Sequence, residues 1–212
     1  MLIYFFQKII YIVTIIIANL FLHFQVEGKK NLKLIKKKQY FVIANHRGFL
    51  DAFLLCDAIP FLHFLKTNFR YMIKPEWIKV YPIVKLFGGY PLHLKKGDLK
   101  KTLSNTEQFI KNGKNILIFP EGTFPKDGKQ LKAKQGIGYL AKKYNLPILP
   151  MALFGSDGVN GKKGLDFKKV FSKKCFVKIK IGKPFYFNDV ADYSDDNLTA
   201  AQKIMDRVNA ML

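Results

Sequence analysis

The chain alternates between short, continuous apolar runs and longer segments in which apolar positions recur every three or four residues. Continuous runs are typical of buried strands, and periodic segments are typical of helices with one face on a core. Their alternation predicts an α/β fold, a single domain with a central mixed, largely parallel sheet flanked by helices. The predicted strands cover residues 40–44, 69–73, 90–94, 115–119, 148–153 and 175–181.

The predicted helices cover residues 50–58, 75–87, 98–112, 133–144 and 195–211, and Pro82 is a point where the second can break. Asp98 is suited to cap the helix that follows it, because its carboxylate can accept a hydrogen bond from a first-turn N–H. Gly113 is suited to end the same helix. Residues 155–174 combine several glycines with many lysines, and this composition predicts an irregular, mobile loop.

The N-terminal segment, residues 2–24, is almost entirely apolar and is long enough for a helix that crosses a hydrocarbon core. Six lysines follow between residues 29 and 38, and such a cluster favours the cytoplasmic side and binds anionic lipid. We therefore expect a membrane protein with an anchor helix over residues 1–28 and a folded domain over 29–212 on the cytoplasmic side. A cleaved signal peptide fits poorly. A buried core helix stays open, and so does the choice between a spanning helix and an interfacial one.

The chain of 212 residues is strongly basic, with 36 Lys and Arg against 15 Asp and Glu and a formal net charge of +21. Such a field attracts acidic lipid headgroups, phosphorylated substrates and acidic carrier proteins, although a lysine-rich solvated surface has the same composition. Nucleic acid is not an expected partner, because the sequence has neither a basic groove-reading helix nor an aromatic RNA-binding motif. The two cysteines and four histidines lack metal-ligand spacing, so no metal site is expected.

A histidine and an aspartate, His46 and Asp51, lie five residues apart directly after the apolar run 40–44. A histidine oriented by a carboxylate commonly removes a proton from a hydroxyl near neutral pH. Positions five apart on a regular helix are separated by about 140°, so the pair can meet only if His46 is on the strand-to-helix turn and Asp51 in the first helical turn. Gly48 gives the backbone the conformational freedom that such a turn needs. A surface-turn histidine and a capping aspartate have the same spacing, but sites concentrate where strands of an α/β sheet pass into helices.

A second segment, Phe119–Thr123, also follows a predicted buried strand. Pro120 and Gly122 are turn formers, so a simple turn with a solvated Glu121 is one interpretation. In the functional interpretation, Glu121 and the Gly122 backbone lie beside His46 and hydrogen-bond a polyol or a phosphate. Either segment alone fits a simple turn as well as a functional site. The occurrence of both segments in this order favours a functional site.

Taken in order, Asn-His-x4-Asp at residues 45–51 and Phe-Pro-Glu-Gly-Thr at 119–123 resemble the motifs of the glycerolipid acyltransferase family, whose best-known bacterial members are 1-acyl-sn-glycerol-3-phosphate acyltransferases. The resemblance covers most of the chain and implies that residues 29–212 are an acyltransferase domain. Three further blocks are similar to those of the family: Lys74–Trp77 with Pro82 and Gly88-Gly89, Lys132–Gly136, and Leu146–Pro150.

The resemblance implies roles for the site residues. His46 would be the general base and Asp51 the residue that orients it, in the transfer of a fatty acyl group from acyl-CoA or acyl carrier protein to a hydroxyl. Backbone donors near the turn would stabilise the oxyanion. The lysophospholipid acceptor would be held by substrate-binding residues at Lys74, Glu121, Gly122 and Thr123. No metal is implied, and no cofactor beyond the acyl-CoA or acyl carrier protein co-substrate.

The chain departs from the family pattern at two places where arginines are common. Phe124 follows Glu-Gly-Thr, and His93–Lys96 stands where family members often have an Asp-Arg or Asn-Arg pair at the end of the block that begins at Lys74. Lysine supplies charge without the bidentate fork of arginine, so the candidate phosphate-binding residues are Lys95, Lys96 and Lys126. Three functions stay open: acylation of the sn-2 hydroxyl of lysophosphatidic acid to phosphatidic acid in phospholipid biosynthesis, acylation of another lysolipid or alcohol, and membrane binding by a basic protein without catalysis.

Overall fold

A computed structural model describes residues 2–95, 97–125, 130–161 and 164–212. Its strands are β1 Phe24–Glu27, β2 Phe41–Ala44, β3 Phe69–Ile73, β4 Gly89–Pro91, β5 Asn115–Ile118, β6 Ile148–Phe154, β7 Asn160–Gly161, β8 Gly164–Leu165 and β9 Val177–Ile181. Seven of them form one sheet in the order β1–β9–β6–β2–β5–β3–β4, and β7 pairs with β8. Among the described strands of the large sheet, β6 and β9 pair antiparallel and the other neighbours pair parallel. The predicted mixed, largely parallel sheet is confirmed.

Helices cover both faces of the sheet. They are α1 Leu2–Phe21, α2 Asp51–Asp57, α3 Phe61–Leu65, α4 Pro75–Val80, α5 Leu99–Lys111, α6 Gly136–Tyr144, α7 Phe167–Phe171 and α8 Asn197–Asn209. One core lies between the sheet and α1, α2 and α3, and the other lies between the sheet and α5, α6 and α8. Along β2, Val42 belongs to the first core and Ile43 to the second. The strand is therefore buried on both faces, as its continuous apolar run predicts.

The predicted elements after residue 39 are found with small displacements of their ends. The helix predicted over 75–87 breaks as expected, because α4 ends at Val80 and a 3₁₀ helix begins at Pro82. Neither β1 nor α3 was predicted. β1 has only four residues, and its pairing partner β9 lies far along the chain, so its local pattern carried little signal.

The apolar N-terminal helix ends earlier than expected. α1 stops at Phe21, and residues 24–27 belong to the sheet, so the prediction of an anchor helix up to residue 28 is wrong over its last residues. α1 is long and apolar enough to cross a membrane by length and composition. One side of it packs on the domain, because Gln7 and Tyr11 are buried, whereas its other side exposes large apolar side chains. Those exposed residues are Phe5, Ile9, Ile12, Val13, Ile16 and Leu20.

The prediction of an irregular loop over residues 155–174 is wrong. In the described part of this segment a 3₁₀ helix over Ser156–Val159 is followed by β7, β8 and α7. Ser156 and Val159 are fully buried, and Asp166 caps α7 by accepting a hydrogen bond from the N–H of Lys169. Glycines and lysines suggested a loop locally, but burial against distant residues orders the segment.

Candidate active site

The candidate site lies at one edge of the sheet, where three neighbouring parallel strands end. His46 follows β2, Glu121 follows β5, and Ser156 follows β6. The carboxyl ends of parallel strands share one edge, so segments far apart in sequence meet there. Asn45 joins two of these ends, because its side chain accepts from the N–H of Leu153 at 2.8 Å and donates to its carbonyl at 2.9 Å.

His46 and Asp51 are in direct contact. His46 Nδ1 lies 2.7 Å from Asp51 Oδ2, and the carboxylate is fully buried. His46 is on the strand-to-helix turn and Asp51 is the first residue of α2, which is the arrangement that their spacing requires. A carboxylate at Nδ1 favours the tautomer with the proton on that nitrogen and leaves Nε2 to accept a proton from a substrate.

Aromatic side chains surround the His46 ring. Phe119 stacks on it with the ring centroids 4.1 Å apart, and Phe124 meets it edge-on at 5.1 Å. Phe49 contacts both Phe124 and Trp77, with centroids 5.0 Å apart in each pair. The His46 side chain nevertheless keeps 20% of its surface exposed. The imidazole is therefore packed by Phe119 on one face, contacted edge-on by Phe124, and still partly exposed to solvent.

Glu121, which was predicted to bind substrate, accepts hydrogen bonds from two backbone N–H groups. Its Oε1 accepts a hydrogen bond from the N–H of His46 at 3.0 Å, and its Oε2 accepts one from the N–H of Leu131 at 3.3 Å. Burial raises the pKa of this carboxyl from its ordinary value, and the two backbone hydrogen bonds oppose the shift. Glu121 thus positions the turn that carries His46, and its contact with an acceptor stays a prediction.

The other predicted substrate-binding residues lie near one another. Lys74 Nζ is 3.5 Å from Thr123 Oγ1, and both follow strands of the sheet. Gly122 adopts a positive φ of 70°, and the side chain of Lys134 lies against it. Lys134 is tied to the turn because its N–H donates to the Pro120 carbonyl at 2.8 Å. Sequence reasoning did not single out Lys134, although it noted the block that contains it.

Of the three candidate phosphate-binding lysines, Lys95 belongs to the described residues. Lys95 is exposed, and its backbone N–H donates to Thr102 Oγ1 at 2.9 Å. Lys96 and Lys126 lie outside the described residues. Within the described ranges, no group of three or more His, Cys, Asp or Glu side chains could hold a metal ion.

The segment after β6 supplies contacts that the sequence did not reveal. Asn160 Nδ2 donates to the Arg47 carbonyl at 2.9 Å, and its Oδ1 accepts from the N–H of Phe49 at 3.3 Å. Arg47 in turn pairs with Asp157 at 2.9 Å. The predicted mobile loop is therefore bonded directly to the His46 turn, and no local pattern could show which residues it would meet.

Comparison with known proteins shows related sequences. A model of the family described as Acyltransferase matches residues 23–154. A 1-acyl-sn-glycerol-3-phosphate acyltransferase of Saccharomyces cerevisiae is 30% identical over 197 residues, which cover 87% of this chain and 58% of that protein. The chloroplastic 1-acyl-sn-glycerol-3-phosphate acyltransferase BAT2 of Brassica napus is 28% identical over 176 residues, which cover 79% of this chain and 46% of that protein. The chain thus spans about half the length of these curated relatives.

One solved structure has the same fold. The crystal structure of the 1-acyl-sn-glycerophosphate acyltransferase PlsC from Thermotoga maritima matches with a TM-score of 0.63 and 23% sequence identity. The match covers 99% of this chain and 76% of that one. It extends over α1 as well as the sheet.

Proposed function

The chain belongs to the acyltransferase family, whose model matches more than half of it, and from this premise we propose that it transfers a fatty acyl group from a thioester to the hydroxyl of a lysophospholipid. The observation that carries the proposal is the 2.7 Å contact between His46 and Asp51 at the carboxyl edge of the sheet, with the imidazole still accessible. The donor is acyl-CoA or acyl carrier protein.

In the proposed reaction His46 acts as general base. The acceptor hydroxyl gives its proton to His46 Nε2 as its oxygen attacks the thioester carbonyl carbon. The C–S bond then breaks, and the departing thiolate takes the proton from the imidazolium. Asp51 keeps the ring in the required tautomer and stabilises the transient positive charge. No covalent acyl-enzyme is involved.

We propose lysophosphatidic acid as the acceptor and phosphatidic acid as the product, for use in phospholipid biosynthesis. Relatives named as 1-acyl-sn-glycerol-3-phosphate acyltransferases support this acceptor. Lys74 and Lys134 place cationic groups beside the Glu121–Thr123 turn, where an acceptor phosphate would be attracted. The net charge of +21 favours anionic substrates, anionic lipids and an acidic carrier protein in the same way.

A second acceptor class is favoured by Phe124. Its ring packs edge-on against both His46 and Phe49, with centroids 5.1 and 5.0 Å apart. An aromatic ring at this position gives no bidentate contact to a phosphate. A lysolipid with another headgroup, or an alcohol without a phosphate, is therefore the alternative acceptor.

We further propose that α1 binds the protein to the cytoplasmic face of a membrane and lies in its interface. Near its start, Gln7 donates hydrogen bonds to the carbonyls of Phe69 and Phe87 at 2.7 and 2.8 Å. Just past its end, the Leu22 carbonyl accepts from the N–H of Val177. Because α1 is docked on the domain near both of its ends, a membrane-spanning α1 would place the domain in the hydrocarbon core. The exposed apolar side of α1 suits a helix that lies in the membrane interface.

Product analysis tests the acceptor. The protein in detergent is supplied with acyl-CoA or acyl carrier protein donor and one of three acceptors: lysophosphatidic acid, a lysophospholipid with a further headgroup, or a monoacylglycerol. We expect thiol release and a diacyl product that are fastest with lysophosphatidic acid. Faster reaction with another acceptor would favour the second class. Absence of thiol release with every donor and acceptor would leave a basic membrane-binding protein without catalysis.

A further inference from the structure

The Asp51 carboxylate is held at both of its oxygens. Oδ2 accepts hydrogen bonds from His46 Nδ1 and from the backbone N–H groups of Arg47 and Gly48, at 2.7, 2.6 and 2.8 Å. These three donors all belong to the turn that precedes Asp51. Oδ1 accepts from Ser156 Oγ at 2.6 Å, and Ser156 is the sole donor to Oδ1 among the residues that the structure describes. One donor from a distant part of the chain therefore fixes the second oxygen.

Ser156 is itself fixed by the sheet. It is fully buried and begins the 3₁₀ helix that follows β6. Gly155 before it has a φ of 76°, and a Cβ there would stand 2.0 Å from the Phe176 carbonyl oxygen, so the backbone is in close contact with the residue before β9. The position of the hydroxyl is thus set by two strands rather than by a free loop.

We infer that Ser156 is a positioning residue for acyl transfer, which orients the Asp51 carboxylate and through it the His46 imidazole. The hydrogen bonds to Oδ2 restrain rotation of the carboxylate about its Cβ–Cγ bond, and the Ser156 hydrogen bond to Oδ1 adds a second restraint on the same rotation. The orientation of the carboxylate determines how well Asp51 Oδ2 is aligned with the N–H at His46 Nδ1. The role in turnover rests on the proposed function, whereas the contact with Asp51 is a property of the fold.

The experiment compares the full chain in detergent as wild type, Ser156→Ala and Ser156→Cys. The alanine removes the hydroxyl, and the cysteine keeps a similar volume with a much weaker donor. Ser172→Ala is the matched control, because the Ser172 hydroxyl donates only to the backbone of its own turn in the structure described. Proton NMR follows the His46 Nδ1–H resonance, which is assigned by its loss in His46→Ala. Steady-state kinetics give kcat and the KM of both substrates.

We expect the His46 Nδ1–H resonance to move or to broaden by solvent exchange in both Ser156 variants and to stay in place in Ser172→Ala. The kcat should fall roughly tenfold, the lower end of the range for losing one hydrogen bond to a charged group, while the KM values of both substrates stay unchanged. With an active wild type, an unchanged resonance or an unchanged kcat in folded Ser156→Ala and Ser156→Cys would overturn the inference. So would full activity in Ser156→Cys alone, since packing and not the donor would then matter.

The two proposals fail in different ways. If the wild type transfers no acyl group to any acceptor while the resonance still responds to Ser156, the proposed function is wrong and Ser156 still positions Asp51. If the wild type is active and the resonance does not respond, acyl transfer stands and the role of Ser156 is wrong.

Discussion

The Glu121 carboxylate accepts a hydrogen bond from the backbone N–H of His46, with Oε1 at 3.0 Å from the nitrogen. Its other oxygen accepts from the N–H of Leu131, on the segment that leads to α6. Glu121 therefore joins two segments of the candidate site. A glutamate beside a glycine-containing turn suggested contact with a substrate, but its buried oxygens bond to the protein first.

Replacing Glu121 with alanine should lower kcat much more than it changes the acceptor KM. The change leaves two partly buried N–H groups without their acceptor, a loss of up to about 1–3 kcal/mol of stability for each, and releases the His46 turn. Glu121→Gln keeps one acceptor oxygen and should retain more activity. Kinetics of the two variants beside wild type check this. A large rise in KM with kcat unchanged would instead make Glu121 a substrate ligand.

Two glycine substitutions should differ sharply. A Cβ on Gly48 would stand 2.5 Å from Asn160 Oδ1, and that amide is bonded to the backbone of Arg47 and Phe49. We therefore expect Gly48→Ala to push the amide away, to disturb the His46 turn and to lower kcat about tenfold or more.

Gly122→Ala is the matched comparison. Its Cβ would meet the flexible side chain of Lys134, which can move aside. The positive φ of Gly122 adds strain of roughly 1 kcal/mol. Melting temperature and kcat of the two variants test the difference, and a larger loss of kcat in Gly122→Ala than in Gly48→Ala would contradict it.

Asp57 should make stability depend on pH. Burial raises its pKa to about 8, although a hydrogen bond from Thr14 at 2.8 Å opposes the shift. Between the ordinary carboxyl pKa of about 4 and this value, the folded state keeps a proton that the unfolded state has lost. The stability that Asp57 contributes is therefore complete below that window and falls as pH rises through it.

Asp57→Asn removes this ionisation, so it should raise the melting temperature by roughly 3 °C or more at about pH 9 and flatten the decline with pH. Asp206→Asn, at an exposed carboxylate on α8, is the control and should follow the wild type. Thermal melts in detergent across the pH range measure the effect. A decline in Asp57→Asn equal to that of the wild type would rule out Asp57 as its source.

Membrane binding should depend on the exposed side of α1. Ile12 and Ile16 are 47% and 52% exposed, and aspartate at both positions places two charges where lipid would lie. We expect this double variant to stay in solution when the wild type sediments with anionic vesicles. Leu198→Asp, at an exposed apolar position on α8, should sediment normally. Equal sedimentation of the Ile12 and Ile16 variant would exclude α1 as the binding surface.

The sequence predicted those parts of the structure that local patterns determine. The buried strand 40–44, the turn at Gly48 and the capped helix after Asp98 all follow from short-range preferences, and the His46–Asp51 contact follows from spacing and helix geometry. The sequence did not predict that Ser156 and Asn160 bond to the His46 turn. Those contacts depend on β6 pairing with β2, which no local signal near residue 156 encodes.

The hydrogen bonds that Glu121 accepts from the backbone were not predicted for a similar reason. A carboxylate beside Pro and Gly has the same local pattern whether it faces solvent, a substrate or a backbone N–H. Because β5 pairs with β2, the Glu121 carboxylate lies beside His46 and accepts a hydrogen bond from its backbone N–H. The burial of one side of α1 was left open as well, because an apolar run can face lipid or a core.

Turnover by His46→Ala tests the central claim most directly. Thiol release from acyl-CoA or acyl carrier protein is followed with lysophosphatidic acid present and absent, for wild type and variant at matched folded concentration. We expect acceptor-dependent release in the wild type and a loss of about a hundredfold or more in the variant, the typical contribution of a general base. Acceptor-dependent release at the wild-type rate in folded His46→Ala would contradict the assignment of His46 as the base.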